Sequence, residues 1–352
     1  MKGRGLLTVL LVCLVFCGCG SEKTSVKVSE EAKDYNSSGL AKAKSGEYME
    51  AIEMYNTAIQ LAPNYAAAYN NRGVAKKRLG GYQGAIADYD TAIRLDPILG
   101  TPYNNRGIVK KDLGEYKEAI ADYDAAIRLK PNYVNAHYNR GVAKAKLNQH
   151  KAAITDYDTA IRLNPKYTKA YFSRGVSKAY LGEYEASIVD YNTTIQMNSG
   201  AATAYYNRGN IKSKLGQHKA AIADYDTAIE LVRKDDGAVA YFNRAIAKAD
   251  IGEYEAATVD YDTAIRLDPH DAGAYFGRGL AKSALNKTSE AKQDFQTALK
   301  FATQARNVEL KNDIEDFLRQ DESNSEGAQV DIELKDDVED FLRQFIVKSE
   351  TM

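Results

Sequence analysis

The 352-residue sequence has no tryptophan, and its three cysteines, Cys13, Cys17 and Cys19, all fall within the first nineteen residues. Everything beyond Cys19 therefore lacks both a disulfide framework and a cysteine-based metal site. Lys and Arg total 47 against 48 for Asp and Glu, a net charge of -1, so no global basic field recruits nucleic acid. There is no glycine-rich phosphate loop, no activated-nucleophile motif and no cluster with metal-ligand spacing. Four histidines, His137, His150, His218 and His270, are scattered, and packing explains them better than metal binding. The sequence predicts no cofactor, no metal and no enzyme.

What is present begins with an export signal. Met1-Lys2-Gly3-Arg4 is a short basic start, and residues 6–16 form an apolar run too short to span a bilayer as a stable helix. Gly18 sits immediately before Cys19. This resembles a bacterial lipoprotein signal, whose lipobox places a small residue before the cysteine that is acylated. Phe16 departs from the leucine usual there, and it makes Cys17 the poorer acceptor. An ordinary secretory signal cleaved nearby is the competing reading. The lipoprotein resemblance implies a signal peptide over 1–18, lipidation at Cys19 and a lipid anchor in the membrane. Each buried CH₂ of the acyl chains contributes about 0.8 kcal/mol. Residues 19–31 read as a polar tether. Gly20 follows the acceptor, where some Gram-negative lipoproteins carry an Asp that retains them at the inner membrane. The expected location is therefore the cell envelope, at the outer membrane facing the periplasm. Removing 1–18 takes away Lys2 and Arg4 and moves the net charge from -1 to -3.

Pro63, Pro97, Pro131 and Pro165 recur every 34 residues, as do Arg72, Arg106, Arg140, Arg174 and Arg208. After two extra residues near Lys234–Gly237 the register resumes at Arg244 and Arg278. Tyr55, Tyr89, Tyr123, Tyr157, Tyr191, Tyr225 and Tyr261 keep the same spacing, with Phe295 next in the series. A period of this size means a solenoid. Within one copy, Tyr116, Ala119, Ile120, Tyr123, Ala126 and Ile127 form one apolar helical face. Leu113-Gly114 separates this helix from the one before it, and Pro131 closes the unit. Gly107 on the first helix lets a neighbour approach closely.

The pattern of Tyr, Gly, Leu-Gly-x-Tyr, Ala, an aromatic, Ala and a terminal Pro resembles the tetratricopeptide repeat. The resemblance covers about residues 32–305 in eight copies. It implies an all-α, right-handed α-solenoid of helix pairs, with a concave groove that usually binds peptides or protein segments. Copy five ends in Met197-Asn198-Ser199 without proline, so irregular curvature is expected between residues 196 and 240.

Two positions that are usually apolar in this family are charged here. The first is the Arg series. Four residues on, Lys76, Lys110, Lys144, Lys178, Lys212, Lys248 and Lys282 share its helix face. The second helix offers Asp88 and Asp90, Asp122 and Asp124, Asp156 and Asp158, Asp224 and Asp226, and Asp260 and Asp262, with Asp190 and Asp294 in the remaining copies. One reading is a cationic stripe for phosphate, nucleic acid or an acidic peptide. The other is a structural ion-pair ladder that includes Arg106, Lys110, Asp122, Asp124, Arg140 and Asp156. The first copy favours the ladder. Ser38 replaces Arg there, and Met54 and Asn56 replace both Asp, so cation and anions vanish together.

In the family, the first helix of each pair lines the groove. That face carries Asn71, Asn105, Asn139, Asn207 and Asn243, suited to hydrogen-bonding an extended peptide. One residue earlier stand Asn70 and Asn104, then Tyr138, Phe172, Tyr206, Phe242 and Phe276. These aromatics either hold a partner's apolar side chains or pack between adjacent helices. The family's chaperone-tail clamp needs Lys and Asn where Asn36 and Leu40, or Asn70 and Val74, stand here, so that clamp is not expected.

After the array, residues 306–320 read as a capping helix, 321–331 as a linker and 332–352 as a duplicated amphipathic helix. Val308–Gln320 recurs nearly unchanged as Ile332–Gln344. The second copy packs beside the first, exchanges with it, binds another chain (self-association included) or is an idle duplication. The expected function is a membrane-anchored scaffold binding a protein or peptide partner in the envelope. The alternative is a binder of exported polysaccharide through the aromatic part of the groove.

Overall fold

The computed structural model describes residues 28–232 and 237–324, with side chains through Arg319. The expected signal peptide, Cys19, most of the tether, the linker beyond Asn324 and the second C-terminal segment lie outside the described residues. Those residues contain seventeen α-helices and no strand. No helix among them is long and apolar enough to cross a membrane.

The chain divides after Ile98 into two compact units. In the first, α1 (Glu30–Lys44) pairs with α2 (Tyr48–Leu61) and α3 (Ala66–Arg78) with α4 (Tyr82–Leu95). The second begins with the pairs α5 (Gly100–Asp112) with α6 (Tyr116–Leu129), α7 (Val134–Lys146) with α8 (His150–Leu163), and α9 (Thr168–Tyr180) with α10 (Tyr184–Met197). It continues with α11 (Ala202–Lys214) and α12 (His218–Leu231), α13 (Ala238–Ala249) and α14 (Tyr254–Leu267), and α15 (Ala272–Ala284) and α16 (Thr288–Gln304). The last helix, α17 (Val308–Asn324), runs past residue 320 into the stretch that reads as linker. Within each unit every pair packs on the next, the all-α solenoid arrangement, and α17 packs on α16. The seam between α10 and α11 is looser than the other pair-to-pair seams of that unit. Ala201 stands there in place of the tyrosine found at Tyr133 and Tyr167.

Each pair closes at one contact. A Cβ built on Gly107 would lie 2.7 Å from Tyr123 Cε1, so only glycine lets the buried ring lie flat on the first helix. The same contact recurs wherever the repeat keeps its glycine. In the seventh copy Ala245 replaces that glycine. There Tyr261 leans instead on α15, where a Cβ at Gly277 would come within 2.6 Å of its Cζ and hydroxyl oxygen. Gly277 takes the place of an asparagine in the recurring series, so the two exceptions compensate each other. The turn inside each pair needs a left-handed residue. Gly114 supplies it at φ 82°, while Asn148 at φ 58° and Asn286 at φ 61° do so in copies four and eight.

The buried tyrosines differ at their hydroxyls. Tyr89 and Tyr123 bury theirs without a partner, whereas Tyr225 donates to Asn210 Oδ1 at 2.9 Å. Tyr123→Phe should therefore be neutral or slightly stabilising, and Tyr225→Phe should cost about 1 kcal/mol, read from urea unfolding midpoints. Burial also raises the phenols of Tyr55, to about 12, and of Tyr89, Tyr123, Tyr157, Tyr225 and Tyr261 further. A folded pKa above the unfolded value of about 10 means the stabilisation is complete below pH 10 and lost as pH rises beyond it. Stability should thus hold to about pH 10 and fall steeply above it, with tyrosinate absorbance appearing together with the loss of helix.

Candidate partner-binding face

The charged residues of the repeat meet one another before they meet solvent. Asp122, side chain 6% exposed, accepts from Arg106 Nε at 3.0 Å and Nη2 at 2.5 Å, and from Lys110 Nζ at 2.8 Å. Asp156, at 3%, holds Arg140 and Lys144 in the same way. Arg72, Arg174, Arg208, Arg244 and Arg278 repeat the bidentate geometry on Asp88, Asp190, Asp224, Asp260 and Asp294. Within each unit the remaining guanidinium nitrogen crosses to the preceding copy. Arg140 Nη1 reaches Asp124 at 2.6 Å, and Arg174, Arg244 and Arg278 reach Asp158, Asp226 and Asp262. These arginines therefore tie their own pair together and also tie that pair to its neighbour in the same unit. Burial opposes the Arg140 charge, but the bonds to Asp156 and Asp124 outweigh it and raise its pKa above the ordinary value.

One expectation needs correction. Asn56 does not mark a missing partner. It stands at the cross-copy position, and its Oδ1 accepts from Arg72 Nη1 at 2.7 Å. Asn192 likewise accepts from Arg208 at 2.5 Å. An amide oxygen serves as acceptor at this half-open position. At the other position Met54 offers Ser38 no acceptor oxygen, so there the bond itself is lost in the first copy. The sequence reading also missed a stacking partner. Tyr69, Tyr103, Tyr171, Tyr205, Tyr241 and Tyr275 each lie under the arginine three residues on, at 5.2 to 5.8 Å. The Tyr-x-x-Arg spacing was the available signal.

The asparagines of the first-helix face bond across copies. Asn71 donates to Asn36 Oδ1 at 3.0 Å, and Asn139 to Asn104 Oδ1 at 3.2 Å. Asn70 and Asn104 are buried, and they donate to Asn71 and Asn105. Asn243 is 2% exposed and donates to Tyr206 Oη at 2.8 Å and Asn210 Oδ1 at 3.1 Å. Asn207 is half-buried.

The aromatics divide. Phe242 and Phe276 are buried at 7% and 4%, which removes them and Asn243 from the surface expected to line a groove. Neighbouring helices cover them because their rings fill the space above Tyr261 and Phe295, 5.9 and 5.7 Å away. Tyr138, Phe172 and Tyr206 lean in the same way on Tyr157, Tyr191 and Tyr225 at 5.9, 5.9 and 6.0 Å, yet remain half-buried. These three rings, together with the half-buried Asn71, Asn105, Asn139 and Asn207, are what remains of the expected series at the surface.

The histidines each have a structural occupation. His137 is bonded to the Pro131 carbonyl at 2.8 Å and His150 stacks on Tyr180 at 4.6 Å. His218 Nδ1 lies 3.1 Å from Asp250, and His270 meets the edge of Phe301. Among the described residues no three His, Cys, Asp or Glu side chains are grouped to hold a metal.

Sequence models of one repeat match along this array. A TPR repeat model matches residues 39–80, 109–148 and 247–286. Two tetratricopeptide repeat models match 134–167 and 202–235, and 66–98 and 272–304. The chain carries tetratricopeptide repeats. Solved TPR structures are similar in fold. The C-terminal part of a TPR repeat-containing protein from Cytophaga hutchinsonii is 20% identical, with a TM-score of 0.56 over 68% of this chain and 98% of that one. A tetratricopeptide repeat protein from Parabacteroides merdae is 22% identical, with a TM-score of 0.52 over 74% and 100%. YrrB, described as a TPR protein with an unusual peptide-binding site, is 27% identical, with a TM-score of 0.45 over 50% and 91%. No curated protein matches this chain.

Arg140→Ala leaves Asp156 to Lys144 alone and strips Asp124 of its partner. Because Arg140 is one-fifth exposed, the cost should be about 1–3 kcal/mol, below that of a fully buried pair. Thermal unfolding measures it. An unchanged midpoint with lost partner binding would make the stripe a binding site instead.

Proposed function

We propose that the chain is a membrane-anchored TPR scaffold that holds a protein or peptide partner in the cell envelope, through the face carrying Tyr138, Phe172, Tyr206 and Asn207. The observation that carries this reading is the division of labour on the first helices. Their cations are consumed by buried carboxylates, while three successive rings keep part of their surface. Half-buried aromatics on rigid helices suit a partner's apolar side chains, since little side-chain entropy is lost on contact. The lipoprotein-like residues around Cys19 support the anchor, and Gly20 supports the outer membrane.

A phosphate or nucleic-acid ligand fits less well, because each arginine of the stripe already bonds a carboxylate or amide oxygen. A polysaccharide needs a longer run of exposed rings, and the burial of Phe242 and Phe276 shortens that run.

Photo-crosslinking residues at Tyr138 and Tyr206 in living cells should capture one protein species, and residues on the outward second helices, such as Val189, should not. Binding of the captured partner should weaken little between low and moderate ionic strength. Capture from Val189 alone would move the site off this face, and a steep salt dependence would return the charged stripe to consideration.

A further inference from the structure

The far end of the second unit seats a helix whose sequence the chain carries twice. Leu310 and Ile314 of α17 are buried at 2% and 0% against a cluster that includes Phe276, Leu280, Ala291, Phe295 and Ala302. Phe317 lies 4.8 Å from the Phe295 ring and 6.0 Å from Phe276. Asn307 Oδ1 caps the helix, accepting from the Leu310 amide at 3.2 Å. Residues 331–344 contain a match for every one of these groups. Asp331 stands at the cap, and Leu334, Val338, Phe341 and Leu342 repeat the apolar stripe. Across the two fourteen-residue segments only Asn307/Asp331, Val308/Ile332, Asn312/Asp336 and Ile314/Val338 differ.

The chemistry narrows what the second copy can do. For the second copy to form a ninth pair with it, α17 would need the ring, the two cations and the gap that Tyr275, Arg278, Lys282 and Gly279 supply 34 residues earlier. The matching positions of α17 hold Glu309, Asn312, Asp316 and Asp313. Two second copies pairing with each other would bring dense Asp and Glu together. Exchange between two chains gains no contact, because each chain brings two segments and one seat.

We propose that residues 331–344 are a second ligand of the α15–α16 seat and exchange with α17 within the same chain. The seat recognises an acidic amphipathic helix by four apolar anchors and a capping oxygen, and the chain carries that sequence twice for one seat. Two terms favour α17. The second copy closes a longer loop, and Val338 has one methylene fewer than Ile314. The exchanged arrangement is therefore the minor one in the intact chain, and damage to the first segment brings it out.

The test uses the full chain with Ile314→Asp, Val338→Asp and both together, read by hydrogen exchange of the α15 and α16 amides. Val338→Asp should leave exchange unchanged. Ile314→Asp should retain protection about tenfold or more above the double variant, because the second copy takes the seat. In the Ile314→Asp chain a photoreactive residue at Leu299 should capture residues 331–344 of its own chain, shown by mixing isotope-labelled and unlabelled protein. Equal exchange in Ile314→Asp and the double variant would overturn the proposal. So would the absence of that capture, or its occurrence only between chains.

Discussion

Seven carboxylates, one in each copy after the first, are nearly sealed from water, and the array is arranged around giving each of them hydrogen-bonding partners. A buried carboxylate is tolerable only with hydrogen-bonding cations against it. Arg and Lys four residues apart on the facing helix provide both, and they fix the angle at which the two helices of a pair meet. The spare guanidinium nitrogen then reaches the previous copy, so the same residue that closes a pair also sets the spacing of the stack. This ladder replaces apolar side chains that the family usually places there. Its geometry is directional where hydrophobic packing is not.

Against that frame the tyrosine–glycine contact does the filling. Tyr123 covers Gly107 because nothing projects from it, and the ring contributes about 2 kcal/mol of burial. Copy seven keeps the ring and moves the gap, giving Ala245 on one side and Gly277 on the other. Copy six inserts polarity instead. Asn210 brings Tyr225, Asn243 and, through Asn243, Tyr206 into one buried network. The repeats are thus not interchangeable, and these differences fall in copies six to eight, next to the surface aromatics of copies four to six.

The expected groove lost members for a single reason. A residue one position before the asparagine series faces both the interior of its own pair and the open side, and the bulk of the neighbouring helix decides between them. Tyr138, Phe172 and Tyr206 keep an open edge, whereas Phe242 and Phe276 are roofed over. Helical periodicity gives the direction of a side chain along its own helix and says nothing about how close the next helix comes. The asparagines posed the same ambiguity. Their spacing suits a peptide backbone, and it equally suits the amide of the adjacent copy, which is already within reach.

The period, the helix-pair unit, the glycine turns and the pairing of Arg with Asp were all legible in the sequence, because a 34-residue repeat aligns eight independent statements of one local rule. The duplicated segment at the end was legible as well, although not the seat it competes for. The tertiary structure alone decided which carboxylate is sealed and which is half-open, and so why Asn56 and Asn192 stand where Asp does elsewhere. It also decided which rings reach the surface and which pair of residues compensates for Ala245. These are contacts between copies, set by distances of a few ångströms across a helix–helix seam, and no pattern within one copy specifies them.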